Sequence, residues 1–204
     1  MPKTPSAIVL MLAAVLALPG VSAQAIDLNP FSAIKGAVEA AVEDRSSADI
    51  AKDLEIKAKL TADVIGKLGK EVISINADVY EQDVMLTGAV GKAEVKAKAE
   101  ELTRAVKDVK KIYNDMLVIP AIDQKKGAVE GFVDDTVIEG KINALLLDAK
   151  GVNVTNFRWR SVGGRVFLFG RALSKEELEK AVSVVKGIKG VAAVTSRVKV
   201  RPKG

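Results

Sequence analysis

The period of the apolar positions changes along the chain in a fixed order. Residues 56–64 place apolar side chains at helical spacing, residues 73–79 alternate apolar with polar side chains, and residues 84–86 repeat that alternation after a tight turn. These periods predict a helix followed by a β-hairpin. A second helical stretch and a last strand that ends near Val118 complete the unit, whose order is therefore αββαβ.

The same order occurs a second time, at a constant offset of 82 residues and without a gap. Asp53–Val118 aligns with Asp135–Val200, and the matched positions include Gly88 in the first copy and Gly170 in the second. A repeat of this length indicates two domains and not a solenoid of short units. We therefore predict an α+β fold of two tandem αββαβ domains, each a three-stranded mixed sheet with two helices on one face.

Local signals in the second copy predict where its elements lie. Ile138, Ile142 and Leu145 recur at helical spacing and form the predicted core stripe of its first helix. The Gly163–Gly164 pair predicts a type I′ hairpin turn, because glycine accepts the positive φ angles of that turn. Ser174, which precedes acidic residues, predicts the start of the second helix.

The segments outside the repeats have patterns of their own. Residues 1–23 combine a basic start with twelve uncharged residues at Ala7–Leu18, too few to span a bilayer as a helix, and predict a cleavable export signal. An uncleaved anchor is the alternative. Because no cysteine follows this segment, we expect a periplasmic protein without a lipid anchor. We assign residues 24–48 to an amphipathic helix, 49–119 to domain 1, 120–133 to a linker and 134–204 to domain 2.

The composition narrows the possible functions. The 204 residues include neither His nor Cys, which excludes the Ser-His-Asp triad, the Cys-His pair, His-ligated zinc and disulfides. The acidic pairs Asp134–Asp135 and Glu176–Glu177 lie at expected helix starts, where the helix dipole favours carboxylates. We therefore expect a protein that is not an enzyme and uses no metal, cofactor or small-molecule substrate.

Charge is divided unequally between the domains. Residues 49–119 carry 12 basic and 13 acidic side chains, whereas residues 134–204 carry 14 basic and 7 acidic, an excess of seven positive charges. Strand alternation directs one set of domain 2 side chains toward the helices, namely Phe157, Trp159, Val166, Leu168, Val194 and Val198. The opposite side of the sheet, the basic face, then consists of Arg158, Arg160, Arg165, Phe167, Phe169, Arg197, Lys199 and Arg201. The equivalent positions of domain 1 are neutral or acidic.

Five stretches of the two copies carry a family pattern. They are Arg165–Gly170, Ser174–Glu177, Gly190–Ser196, Asp83–Gly88 and Asp108–Asn114. Together they resemble the BON (bacterial OsmY and nodulation) domain family, and the two-copy exported layout is similar to that of its osmotically induced periplasmic members. The resemblance implies an αββαβ fold, a cell-envelope location and phospholipid interaction without catalysis. Copy one departs from the pattern at Asp108, where the family favours glycine, and lacks the serine cap before its second helix.

An open basic face with two aromatic rings suits an anionic partner. Each Lys or Arg near a negatively charged bilayer contributes about 1 kcal/mol before screening, so we expect reversible, salt-sensitive binding to anionic phospholipid membranes. Val137 and Leu147 lie off the core stripe of the first helix of domain 2, which makes that helix a second candidate lipid contact. In the alternative, Phe167 and Phe169 pack on domain 1 or on the N-terminal helix. The export signal argues against nucleic acid as the partner.

The resemblance adds a role in envelope integrity or osmotic stress. The expected function is thus a non-enzymatic periplasmic protein that binds anionic phospholipid, mainly through domain 2. The alternative is a periplasmic adaptor or chaperone-like module that binds other envelope proteins through a sheet face or an edge strand, with no direct lipid binding.

Overall fold

The computed structural model describes residues 44–68, 72–119 and 121–202. The predicted export signal and most of the predicted N-terminal helix lie outside these residues. The described part confirms the predicted α+β fold, because each repeat contains two helices and a mixed sheet.

Domain 1 begins with helix α1 (Ser47–Leu60), which continues through a π-helical turn (Thr61–Ile65) and a last α-helical turn (Gly66–Leu68). The hairpin strands β1 (Val72–Tyr80) and β2 (Asp83–Val90) pair antiparallel. After helix α2 (Ala93–Arg104), strands β3 (Lys111–Asn114) and β4 (Leu117–Val118) both pair parallel with β2. The last strand of domain 1 is thus interrupted near Asp115.

Domain 2 has the same order with a continuous last strand. Helix α3 (Ala121–Asp148) includes residues 121–133 of the predicted linker, and a 3₁₀ turn (Val154–Asn156) follows it. Strands β5 (Phe157–Val162) and β6 (Arg165–Ala172) form an antiparallel hairpin, and helix α4 (Lys175–Lys186) leads to strand β7 (Ala193–Val200), which pairs parallel with β6.

Each domain buries its own apolar core between its sheet and its helices. The predicted inward residues of domain 2 lie in or against this core, including Phe157, Leu168 and Trp159. The prediction for Leu145 was wrong, since Leu146 is the core residue and Leu145 is 46% exposed. Leu146 continues the four-residue spacing from Ile142 and so faces the sheet.

Each hairpin turn is held by a buried aspartate from the first helix of its domain. Asp135 accepts hydrogen bonds from the backbone N–H groups of Gly163 (2.7 Å) and Gly164 (2.9 Å), both of which have the predicted positive φ angles. Asp53 does the same in domain 1. The prediction that Asp134–Asp135 marks a helix start was wrong, because α3 begins at Ala121.

The second helix of each domain starts as its sequence predicts. The Ser174 hydroxyl accepts a hydrogen bond from the Glu177 backbone N–H (3.1 Å), and the Glu177 carboxylate accepts one from the Leu173 N–H (2.6 Å). In domain 1 the N-cap residue is Lys92, which makes no side-chain cap bond. The serine signal thus predicts the better-capped helix.

Candidate functional site

The basic face of domain 2 is covered by domain 1. Phe167 is 5% exposed and Phe169 is 1% exposed. The Phe169 ring packs edge-on against Tyr80 (6.4 Å between centroids) and Tyr113 (6.0 Å). These rings belong to a third apolar cluster, whose buried members are Tyr80, Met85, Ala89, Val162, Phe167 and Phe169. The two sheets therefore pack face to face, with apolar side chains at the centre of the contact.

Two arginines of the basic face form bidentate ion pairs with domain 1. Arg160 donates from Nε and from an Nη atom to the two carboxylate oxygens of Asp78, both at 2.8 Å. Arg197 binds Asp115 in the same way, at 2.9 and 2.7 Å. Such paired hydrogen bonds combine charge attraction with fixed geometry. In both pairs the two residues occupy equivalent positions of the repeats, 82 residues apart.

Further cations of domain 2 surround this centre. Glu81 pairs with Arg171 (3.2 Å) and Arg201 (3.0 Å), and Asp83 pairs with Lys199. Together with Arg160 and Arg197, these residues account for five cations, against an excess of seven in domain 2. The carboxylates that bind them define the acidic face of domain 1, which consists of Asp78, Glu81, Asp83 and Asp115.

The remaining residues of the basic face lie at its margin. Arg158 donates hydrogen bonds to the backbone oxygens of Thr155 (2.8 Å) and Phe157 (2.9 Å), and its guanidinium lies 5.6 Å from the centre of the Tyr80 ring. Arg165 is exposed at the start of β6.

The expectation of an open basic face was therefore wrong. The predicted orientation of the side chains was right, since Phe167, Phe169 and the arginines do lie on the side of the sheet away from the helices. The alternative that the two phenylalanines pack on domain 1 is confirmed. The physical reason is charge complementarity, because the acidic residues of domain 1 occupy positions that face the arginines.

The ion pairs alter the titration of their members. Burial disfavours the charged form of Asp78, but the attraction and hydrogen bonds of Arg160 outweigh burial and hold the pKa of Asp78 below its ordinary value. The hydrogen bonds to Asp115 raise the pKa of Arg197. Both shifts favour the ionised pair, so the interface is charged on both sides at neutral pH.

Glu139 lies beside the Asp78–Arg160 ion pair, but its pKa is shifted upward, whereas the pKa of Asp78 is shifted downward. Its carboxylate accepts a hydrogen bond from the Ser161 backbone N–H at 2.8 Å. Burial raises the pKa of Glu139, and the hydrogen bond and nearby Arg160 only partly oppose that rise. The position equivalent to Glu139 in domain 1 is Lys57, whose charge helps to lower the pKa of Asp78.

Asp44, which precedes helix α1 of domain 1, is hydrogen-bonded to domain 2. The Asp44 carboxylate accepts hydrogen bonds from the side-chain amides of Asn153 (2.9 Å) and Asn156 (3.0 Å). Arg171 donates to the Asp44 backbone oxygen at 2.8 Å. Sequence reasoning missed these residues, because polar loop residues outside the apolar period carry no signal of a distant partner.

The first helix of domain 2 leaves apolar side chains exposed. Val137 is 50% exposed, Leu145 is 46% exposed and Leu147 is 70% exposed. We call these three residues the apolar strip of α3, and it includes both helix residues predicted as lipid contacts. At 3.6 residues per turn, Val137 lies between Leu145 and Leu147 around the helix axis, so the three side chains are spread over the exposed side of the helix. In domain 1, the positions equivalent to Val137 and Leu145 hold Glu55 and Asp63. The position equivalent to Leu147 holds Ile65, so the strip differs between the domains at two of its three positions.

Across residues 44–68, 72–119 and 121–202, no helix combines the length and the apolar character that crossing a bilayer requires.

Comparison with known proteins places these features in a family. The protein-family model "BON domain" matches residues 52–120 and 134–202, one span in each repeat. A protein of Anaplasma centrale named "Uncharacterized protein in gshII 5'region" is 30% identical over 146 residues, which cover 69% of this chain and 94% of that protein.

Two further relatives match with slightly lower identity. The Osmotically-inducible protein Y of Escherichia coli is 28% identical over 149 residues, 73% of each chain. The Outer membrane lipoprotein DolP of Haemophilus influenzae is 28% identical over 120 residues, 59% of each chain. The two matched spans, each with the αββαβ order, show that the chain belongs to the BON domain family.

Proposed function

We propose that this chain is a non-enzymatic periplasmic protein that binds anionic phospholipid surfaces reversibly through the apolar strip of α3. In this proposal the protein supports envelope integrity or osmotic tolerance. Among the lipid contacts expected from the sequence, Val137 and Leu147 are retained. The sheet-face residues become contacts between the domains, and only Arg165 on that face remains as a candidate lipid contact.

The observation that carries the proposal is the exposure of the strip. Val137, Leu145 and Leu147 lie on a helix that covers a complete core, so they are not needed to fill that core. Large apolar side chains on the outside of a helix suit the boundary between lipid headgroups and acyl chains. The equivalent helix of domain 1 carries carboxylates at two of these positions.

Three lysines lie close to the strip, against the two exposed carboxylates Asp134 and Asp148, and this small basic excess favours anionic lipid. Lys141 follows Val137 by one helical turn, and Lys150 follows Leu147 by three residues. The Lys180 ammonium donates a hydrogen bond to the Lys150 backbone oxygen, which brings a third cation to this end of the helix. Each such cation contributes about 1 kcal/mol near an anionic surface, so binding is weakened by salt.

The names of the relatives agree with this location. One relative is named as osmotically inducible and another as an outer membrane lipoprotein. We extend to this chain the envelope setting that these names describe.

The test is flotation of the protein with phosphatidylglycerol vesicles and with phosphatidylcholine vesicles. Leu147→Glu should lower the affinity for phosphatidylglycerol vesicles about tenfold, because one buried leucine contributes about 1.5–3 kcal/mol. Leu54→Glu is the matched control, since Leu54 is 63% exposed on the equivalent helix of domain 1. The control should bind like the wild type. Equal losses in the two variants would contradict a contact through α3.

A second candidate function is favoured by the internal neutralisation of the basic face. Five cations of domain 2 are already paired with domain 1, so the net attraction for an anionic surface is smaller than the sequence suggests. The same apolar strip could then hold another envelope protein. Absence of flotation with either vesicle, together with a normally folded protein, would favour this adaptor function.

A further inference from the structure

Domain 1 and domain 2 carry opposite charges at equivalent positions of their facing sheets. Asp78 is equivalent to Arg160, and Asp115 is equivalent to Arg197. Each of these residues contacts its own equivalent in the other domain. Equivalent positions that touch lie near a local two-fold axis, so the faces pack like those of a symmetric dimer whose two halves differ in charge.

The same packing would bring like charges together if two copies of one domain paired. Two domain 1 faces would place Asp78 against Asp78, and two domain 2 faces would place Arg160 against Arg160. Asp78 is 4% exposed, so water would screen the repulsion poorly. The charges therefore favour a mixed pair and oppose both like pairs.

The apolar part of the contact does not discriminate in this way. Tyr80 and Met85 of domain 1 and Phe167 and Phe169 of domain 2 are each at most 5% exposed. These side chains supply contact area that any pairing of the faces would bury. The third apolar cluster thus favours contact between any two faces, and the ion pairs determine which two faces pair.

Each domain also has a complete core beneath its own helices, which is separate from the cluster at the contact. The ion pairs join side chains of domain 1 directly to side chains of domain 2. A domain 2 face from another chain would therefore meet the same groups. We propose that the acidic face of domain 1 and the basic face of domain 2 recognise each other by their opposite charges. We further propose that a second copy of this chain can supply the opposite face by reciprocal domain exchange.

Within one chain, the covalent connection between the domains gives the two faces a high effective concentration for each other, so the wild type pairs internally. Exchange between chains becomes visible when internal pairing is blocked by like charges. Two full-length variants achieve this. Asp78→Arg with Asp115→Arg places arginine opposite arginine at both bidentate pairs of one chain, and Arg160→Asp with Arg197→Asp places aspartate opposite aspartate at both pairs of the other chain.

The experiment mixes the two variants and measures mass by light scattering after size exclusion. We expect a 1:1 dimer in the mixture, because each chain supplies the face that the other lacks, and at least tenfold less dimer in either variant alone. If a variant does not fold alone, the two are refolded together from urea, and the mixed dimer is again expected. Chains with Lys59→Glu and Lys141→Glu, which change exposed equivalent lysines on the helices, are the control and should remain monomeric when mixed.

The chain with all four substitutions exchanges the charges across the local axis and should fold as a monomer with a thermal midpoint near that of the wild type. Three results would overturn the proposal. The mixture could yield no mixed dimer, either variant could pair with itself as readily as with the other, or the fourfold variant could fail to fold. The last result would mean that the charges are not interchangeable across the axis.

Discussion

The two domains share a scaffold but differ on the face where they meet. Asp53 and Asp135 hold the same hairpin turn in each domain. Asp78 and Asp115, by contrast, correspond to Arg160 and Arg197, and these four residues form two bidentate pairs across the contact. A charge imbalance between repeats can therefore serve to hold the two repeats together inside one molecule. Excess charge in one repeat therefore need not mark a site for an external partner.

The hairpin turns show a second difference between the domains. In domain 2 the turn uses Gly163 and Gly164, whereas in domain 1 Glu81 and Gln82 adopt positive φ angles of 50° and 63°. Non-glycine residues adopt this conformation at a cost of roughly 1–2 kcal/mol each. The turn of domain 1 therefore depends more strongly on the side chains that hold it.

The largest effect is expected at the aspartates that hold these turns. Asp53→Ala should lower the free energy of unfolding by about 4 kcal/mol, because it removes two backbone hydrogen bonds and leaves the buried Arg45 guanidinium without its ion pair to Asp53. Asp135→Ala should lower it by about 2 kcal/mol, since its partners are two backbone N–H groups and the Ser161 hydroxyl. Urea unfolding measures both. A larger loss for Asp135→Ala would contradict the greater dependence of the domain 1 turn.

An effect smaller than that of Asp53→Ala is expected at the interdomain arginines. Arg160→Ala should lower the free energy of unfolding by about 3 kcal/mol, because it leaves the buried Asp78 carboxylate without its bidentate partner. Arg197→Ala should cost about 1 kcal/mol, since the Arg197 side chain is 38% exposed and water replaces part of the interaction. Thermal and urea unfolding measure both variants. If neither substitution altered stability, the face would not be held closed by these pairs.

The smallest effect is expected at Glu139, where the pH dependence has a defined sign. The pKa of Glu139 is raised above its ordinary value of 4.5, so its contribution to stability is complete below that pH and is lost as the pH rises through the folded pKa. Glu139→Gln should therefore be more stable than the wild type at pH 7 and lose this advantage below about pH 4. Urea titrations at several pH values measure the difference. A constant difference across this range would contradict the raised pKa.

Much of the fold follows from local pattern. The alternation of Val166 and Leu168 predicts the inward face of β6, and Ser174 predicts the start of α4, because both signals depend on residues close in sequence. The wrong prediction for Leu145 shows where local pattern is not enough to identify a core residue. Leu145 and Leu146 lie three and four residues after Ile142 and satisfy helical spacing almost equally well, so only the packing identifies Leu146 as the core residue.

The candidate site was predicted less completely because it depends on contacts between distant residues. Alternation assigns Arg160 and Arg197 to the correct side of the sheet but does not reveal what covers that side. A signal was present, since Asp78 and Asp115 stand at the equivalent positions with opposite charge. Recognising it requires the assumption that equivalent faces meet, which the order of elements does not supply.

The most direct test of the closed interface is a double-mutant cycle on Asp78 and Arg160, measured by urea unfolding of the wild type, the two alanine variants and the double variant. We expect a favourable coupling of about 2 kcal/mol, with the double variant more stable than the sum of the single losses implies. Additive effects, with coupling near zero, would mean that the two side chains do not pair in solution and that the basic face is open, contrary to the closed interface described above.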